Sequence, residues 1–300
     1  MKQIIQSYRT GEMELAEVPP PVCDDNGVLV RTAFSLVSAG TEKMLVDLAK
    51  KSLVGKALAR PDLARQVFDK MKKEGFKQTL EKVFTKLDSP IPLGYSCAGQ
   101  IIAVGRNVLD LKVGDWVACG GAGYANHAEV NYIPHNLAVK LPVGLDPEAA
   151  AFATVGAIAM QGVRQAEVQL GHRVGVVGLG LLGQLTVQIL KASGAKVVCT
   201  DISDQKMELA RKLGGDWVVS GDRFAPAAKN ASNGHGLDSV IITASTSSNQ
   251  PVEIAGEVCR YKAKVVVVGV VGMNIPRNEY YKKELDLRSE EHTSELQSQR

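Results

Sequence analysis

The stretch RVGVVGLGLLGQLTVQILKASGAKVVCTD, Arg173 to Asp201, constrains the fold more than any other part of the chain. A short apolar run, Arg173 to Val177, enters Gly178-Leu179-Gly180-Leu181-Leu182-Gly183. A helical pattern follows, then a second apolar run, Lys196 to Thr200, which ends on Asp201, 18 residues beyond Gly183. A lone GxGxxG is weak evidence. Placed between strand and helix, with an acid at this distance, it is the pattern of a dinucleotide-binding βαβ unit. Gly178 permits the tight turn, Gly180 lets the backbone approach a pyrophosphate, and Gly183 lets the helix pack close to the strand. The helix N-terminus then offers unpaired N–H groups and partial positive charge to the phosphates. Asp201 is expected to accept from the adenosine ribose hydroxyls and to repel a 2′-phosphate; no Arg follows it directly, so NAD is expected rather than NADP.

The rest of this half fits a parallel sheet. GLDSVIITAS and AKVVVVGVVG supply two more strands, whose C-terminal ends near Ala244 and Gly269 should border the nicotinamide half of the cofactor. The expected cofactor-binding set is Gly178, Gly180, Leu182, Gly183, Asp201, Lys206, Ala244 and Gly269. Upstream, GVLVRTAFSLVS alternates apolar and polar residues, and AGQIIAVG, GDWVACG, HAEVNYIP and NLAVKLP continue in strand language, as in an antiparallel β domain. Between them, Lys43 to Asp88 carries helical spacing, and two amphipathic helices are expected there. That segment holds 12 Lys/Arg against 6 Asp/Glu, so the basic charge is local: either a solvated outer face or a dock for an anionic substrate or partner. The expected organisation is α/β: an N-terminal β domain over 1–141 with a helical insertion at 43–88, then a nucleotide-binding domain over 142–287.

Composition narrows the partners. A net charge of +3 is too small to imply nucleic acid or a membrane surface, and 5% aromatic content suggests no base-stacking platform. Five cysteines without a CxxC pair argue against a disulfide framework and against a zinc lobe, and fit a cytoplasmic protein. The N-terminus MKQIIQSYRTGEM has too short an apolar run for a signal peptide, and VVVVGVVGM is half a membrane span.

The final stretch, RSEEHTSELQSQR, turns abruptly polar, and Arg288 to Ser298 resembles the translation of a sequencing-library adapter. Residues 288–300 are therefore expected to be a non-native tail, the native gene continuing past Leu287. The nucleotide sheet would then stop before its last strand and leave an unpaired edge.

The frames GVLVRTAFSLVSAGTE, PLGYSCAGQIIAVGRNVLDLKVGDWVA and HAEV, with the GLGLLG loop and YYKKELDL, resemble the medium-chain dehydrogenase/reductase superfamily of zinc alcohol dehydrogenases and zinc-free quinone reductases. The resemblance implies a GroES-like antiparallel domain joined to a Rossmann doubly wound parallel sheet, truncated here at its C-terminus. It places Ala39, Tyr95 and Thr154 where the zinc enzymes carry Cys, His and Cys, and Ser96 where they carry Glu; no metal is expected. Without one, hydrogen-bond donors must stabilise charge on a reacting oxygen. Thr41 and Tyr95 are the catalytic candidates the resemblance leaves, Ser96 and Thr154 weaker ones. Tyr95 filling the vacated metal hole is the competing account. Glu42 reads as a loop brace, and His127 and His135 as ordinary strand and loop residues. The expected function is zinc-independent, NAD(H)-dependent hydride transfer to or from a small alcohol or carbonyl, sugar-derived ones included, or an activated alkene. The alternative is a non-catalytic NAD-binding scaffold or regulatory module. The resemblance also allows a homodimer and fusion to a further oxidoreductase domain.

Overall fold

The structure is a computed structural model describing residues 1–7, 10–42, 46, 50 and 90–289. The two helices expected over 43–88, apart from Val46 and Lys50, lie outside the described residues, as does the tail from 290. The chain divides into two compact units between Thr154 and Val155.

In the first unit every strand pairing is antiparallel. Strands β3 (Gly27–Ser35), β5 (Ser96–Val104), β6 (Trp116–Gly120), β7 (Val130–Pro134) and β8 (Ala138–Lys140) form a sheet ordered β7-β3-β5-β6-β8. Strands β1 (Lys2–Ser7), β2 (Met13–Glu17) and β4 (Pro90–Pro92) form a second, ordered β2-β1-β4. The inward positions Val28, Val30, Cys97, Ile101, Val117, Cys119 and Ile133 make one buried cluster. Helix α1 (Pro147–Ala150) starts where the sequence suggests: the Asp146 carboxylate accepts from the Glu148 amide at 2.9 Å, and Pro147 occupies the first turn. Ala150 and Ala151 pack against Ala98 and Ala118. Helix α2 (Ala153–Gln165) follows.

The second unit is a six-stranded sheet, ordered β11-β10-β9-β12-β13-β14, in which every pairing is parallel. Its strands are β9 (Arg173–Val177), β10 (Lys196–Thr200), β11 (Trp217–Val219), β12 (Leu237–Ile242), β13 (Cys259–Val267) and β14 (Asp286–Ser289). Helices α3 (Leu181–Ala192), α4 (Asp204–Lys212), α5 (Gly221–Ala231), α6 (Gln250–Val258) and α7 (Arg277–Lys282) connect them. Val163, Leu190 and Met207 lie in one core cluster; Phe224, Val252 and Tyr280 lie in another. Strands covered on both faces explain the near-continuous valine runs. The chain winds outward from β9 to β11, then returns to β12 beside β9, so the strand order reverses between β9 and β12. The crevice at such a switch point is where open α/β sheets bind ligands.

One expectation is corrected. The sheet does not stop at β13, because β14 pairs with it from Lys264↔Asp286 to Val267↔Ser289. Asp-Leu-Arg-Ser carries no strand periodicity, and its position comes from tertiary contacts. Arg288, read from sequence as the first tail residue, donates to the Gln165 carbonyl at 3.0 Å and pairs with Glu167 at 2.9 Å. Among the described residues, no helix is long and apolar enough to cross a membrane.

Candidate functional site

The glycine loop leaves β9 at the switch point. Gly178 has φ +98°, and a Cβ there would lie 2.6 Å from the Ala244 amide nitrogen, so both backbone conformation and space require glycine. Gly183, in the first turn of α3, rests on the Gly178 carbonyl, which also accepts from Thr243 Oγ1 at 2.5 Å. Gly180 differs. Its φ is −68°, it is the N-cap of α3, and a Cβ would meet nothing within 4 Å. The α3 N-terminus has no side-chain cap, which leaves its first-turn N–H groups without a side-chain acceptor.

Asp201 ends β10, the strand next to β9. Its Oδ2 accepts from the Leu179 amide at 2.6 Å and its Oδ1 from the Ser203 amide at 2.9 Å, with Lys206 Nζ 3.9 Å away. The carboxylate is thus fixed by the loop it faces. Gln184, which the sequence reading missed, ties the same loop down from behind: its Nε2 donates to the Leu179 carbonyl at 3.0 Å and the Lys206 carbonyl at 2.8 Å. Ala244 and Gly269 follow β12 and β13, and the Gly269 amide donates to Ile242 at 2.9 Å. All eight expected cofactor residues therefore belong to the C-terminal side of one parallel sheet. Leu182, however, packs half-buried against the core, and the Lys206 side chain is exposed.

In the first unit, Thr41 is exposed on a helical turn spanning 39–42. Tyr95 is half-buried, and its carbonyl accepts from the Gly121 amide at 3.0 Å. Ser96 Oγ donates to the Ala151 carbonyl at 2.6 Å and Thr154 Oγ1 to the Cys119 carbonyl at 3.5 Å, so both hydroxyls already have acceptors. His135 is half-exposed and paired with Asp110.

His127 departs from the reading as an ordinary strand residue. It sits in a bend before β7, buried, with Nε2 3.1 Å from Glu42 Oε2 and Nδ1 2.9 Å from Ser35 Oγ. Glu42 Oε1 accepts from the Ser38 amide at 2.8 Å, closing its own turn. Burial would raise the Glu42 carboxyl, but hydrogen bonds from His127 and from the Ser38 amide outweigh it and hold the carboxyl below its usual range. A carboxyl whose folded pKa lies below its unfolded one, about 4.3, adds stability that is present above the unfolded value and lost as pH falls through the folded one. In a Trp217→Phe background, where Trp116 reports on the first unit, wild type should exceed Glu42→Gln in stability near neutral pH. The gap should close below about pH 4. A gap constant down to about pH 3 would rule this account out.

Residues 182–290 match the family model described as zinc-binding dehydrogenase. An alcohol dehydrogenase of Geobacillus stearothermophilus is 27% identical over 215 residues, covering 62% of this chain and 63% of that protein. A D-guloside 3-dehydrogenase of Shigella flexneri is 34% identical over 154 residues, covering 50% and 44%. Among solved structures, the alcohol dehydrogenase TADH from Thermus sp. ATN1 superposes with a TM-score of 0.75 at 21% identity, covering 99% of this chain and 86% of that one. Over residues 182–290 the chain is similar to zinc-binding dehydrogenases, and its fold is that of the solved alcohol dehydrogenase.

The chain spans less than two thirds of the curated relatives it matches. The quinone oxidoreductase of Thermus thermophilus, solved with NADPH, shares the fold at a TM-score of 0.71 and 20% identity, covering 99% of this chain and 82% of that one. The matched model's description raises the question of zinc. At the positions named above, Ala39 has no ligating atom, and the Ser96 and Thr154 hydroxyls donate to carbonyls. Among the described residues, no group of three or more His, Cys, Asp and Glu could hold a metal ion.

Proposed function

We propose that this medium-chain dehydrogenase relative is a zinc-independent, NAD(H)-dependent oxidoreductase that moves a hydride to or from a small alcohol or carbonyl. The observation that carries the proposal is the uncapped α3 N-terminus beside Gly180, with Asp201 fixed opposite by the Leu179 amide. An anion cradle next to an acceptor-only carboxylate suits a pyrophosphate followed by an unphosphorylated ribose, and a 2′-phosphate would meet like charge. Calorimetry should therefore find NADH bound more tightly than NADPH; equal or reversed affinities would count against the assignment. The name of the D-guloside 3-dehydrogenase relative supports a sugar-derived alcohol as substrate. Homodimerisation, a cytoplasmic location and fusion to a further oxidoreductase domain remain parts of the proposal.

With no zinc ligands, the developing charge on the reacting oxygen falls to hydrogen-bond donors, and Thr41 and Tyr95 are the hydroxyls proposed for it. Tyr95→Phe and Thr41→Ala should each lower turnover by about tenfold or more while NADH affinity is kept. Unchanged turnover would remove them from the mechanism. The engaged hydroxyls of Ser96 and Thr154 favour a second reading, a dinucleotide-binding module without catalysis. Tight NADH binding with no oxidation by any of a panel of sugar-derived ketones would select it.

A further inference from the structure

We infer that His127 is the positioning residue for both catalytic candidates, one side chain and its own backbone fixing the segments that carry Thr41 and Tyr95. Four segments of the first unit converge on it. Its amide donates to the Leu93 carbonyl at 2.7 Å, and its carbonyl accepts from the Ile4 amide at 2.9 Å. Gly94, at φ +95°, lies so close that a Cβ would come within 2.7 Å of the His127 nitrogen and 3.0 Å of its ring. Leu93 and Gly94 lead directly into Tyr95, so the backbone of His127 sets where that phenol begins.

The ring holds the other candidate. Nε2 faces Glu42 Oε2 at 3.1 Å, and Glu42 Oε1 takes the Ser38 amide at 2.8 Å, which pins both ends of the turn bearing Thr41. Nδ1 faces Ser35 Oγ at 2.9 Å, anchoring the ring to the end of β3. An ionised carboxylate only accepts, so Nε2 donates to Glu42. A ring bonded at both nitrogens and buried among its partners has one orientation, and Thr41 inherits it through Glu42. The kinetic consequence rests on the proposed roles of Thr41 and Tyr95; the structural consequence does not.

Two amide variants separate the ring's contacts. His127→Asn places its amide where Nδ1 stands, keeping Ser35 and releasing Glu42; His127→Gln reaches the Nε2 position and keeps Glu42. Ser38 amide hydrogen exchange should be at least about tenfold faster in His127→Asn than in wild type, and near wild type in His127→Gln. With a turned-over substrate, kcat should fall about tenfold or more in His127→Asn at unchanged KM for NADH, and recover in His127→Gln. Ser38 exchange equal in all three proteins, or kcat equally depressed in both variants, overturns the inference. If the wild type turns over no substrate, the proposed function fails alone and Ser38 exchange still decides. If His127→Asn does not fold, the ring ¹⁵N shifts of the wild type decide: a proton on Nε2 supports the inference, and an unprotonated Nε2 overturns it.

Discussion

Gly180→Val should abolish measurable NADH binding, lowering affinity by about 100-fold or more, while leaving the fold in place. Gly180 has φ −68°, which any L-residue adopts, and empty space where its Cβ would be. The free protein gains a side chain at no steric cost, and replacing glycine at the N-cap costs about 1 kcal/mol. A bound pyrophosphate loses its approach to the first-turn N–H groups of α3. Two charge-assisted hydrogen bonds at about 1.5 kcal/mol each account for a factor of about 100. Calorimetry with NADH, paired with thermal unfolding, reads both halves of the expectation. Retained affinity would show that the dinucleotide does not use this cradle.

Gly178→Ala should act in the opposite way, through the fold. At φ +98° a Cβ costs about 1–2 kcal/mol from backbone conformation. The Ala244 nitrogen at 2.6 Å and Cα at 2.7 Å are backbone atoms that cannot swing aside, adding an overpacking cost of about 1–3 kcal/mol. A loss of about 3 kcal/mol is expected in the second unit. A Trp116→Phe background leaves Trp217 on β11 as the fluorescent reporter of that unit in denaturant titration. A loss under about 1 kcal/mol would mean that β12 and its loop yield more readily than their packing implies.

The second unit was legible because its determinants are local. Strand, glycine turn, helix and acid follow one another between Arg173 and Asp201, and each residue's conformational requirement shows in its identity. The antiparallel unit was legible as alternation, although alternation cannot say which strand lies beside which. What escaped depends on distance along the chain. His127 lies 85 residues from Glu42 and 92 from Ser35, and nothing in NHAEV announces either partner. The edge strand Asp286–Ser289 escaped because its residues carry no hydrophobic period, and its place is set by pairing with β13 and by Arg288 reaching Gln165. The Gln184 amide was hidden in a helix whose pattern already accounted for it.

Strand β3 has one further consequence, for synthesis of the chain. Both of its neighbours come later: β5 starts at Ser96, 61 residues past Ser35, and β7 only at Val130. At about 5–20 residues per second, a ribosome needs about 3–12 s to supply the first of them. Throughout that interval Val28 and Val30 lack both of the strands that pair with β3, which opens the nascent first unit to aggregation.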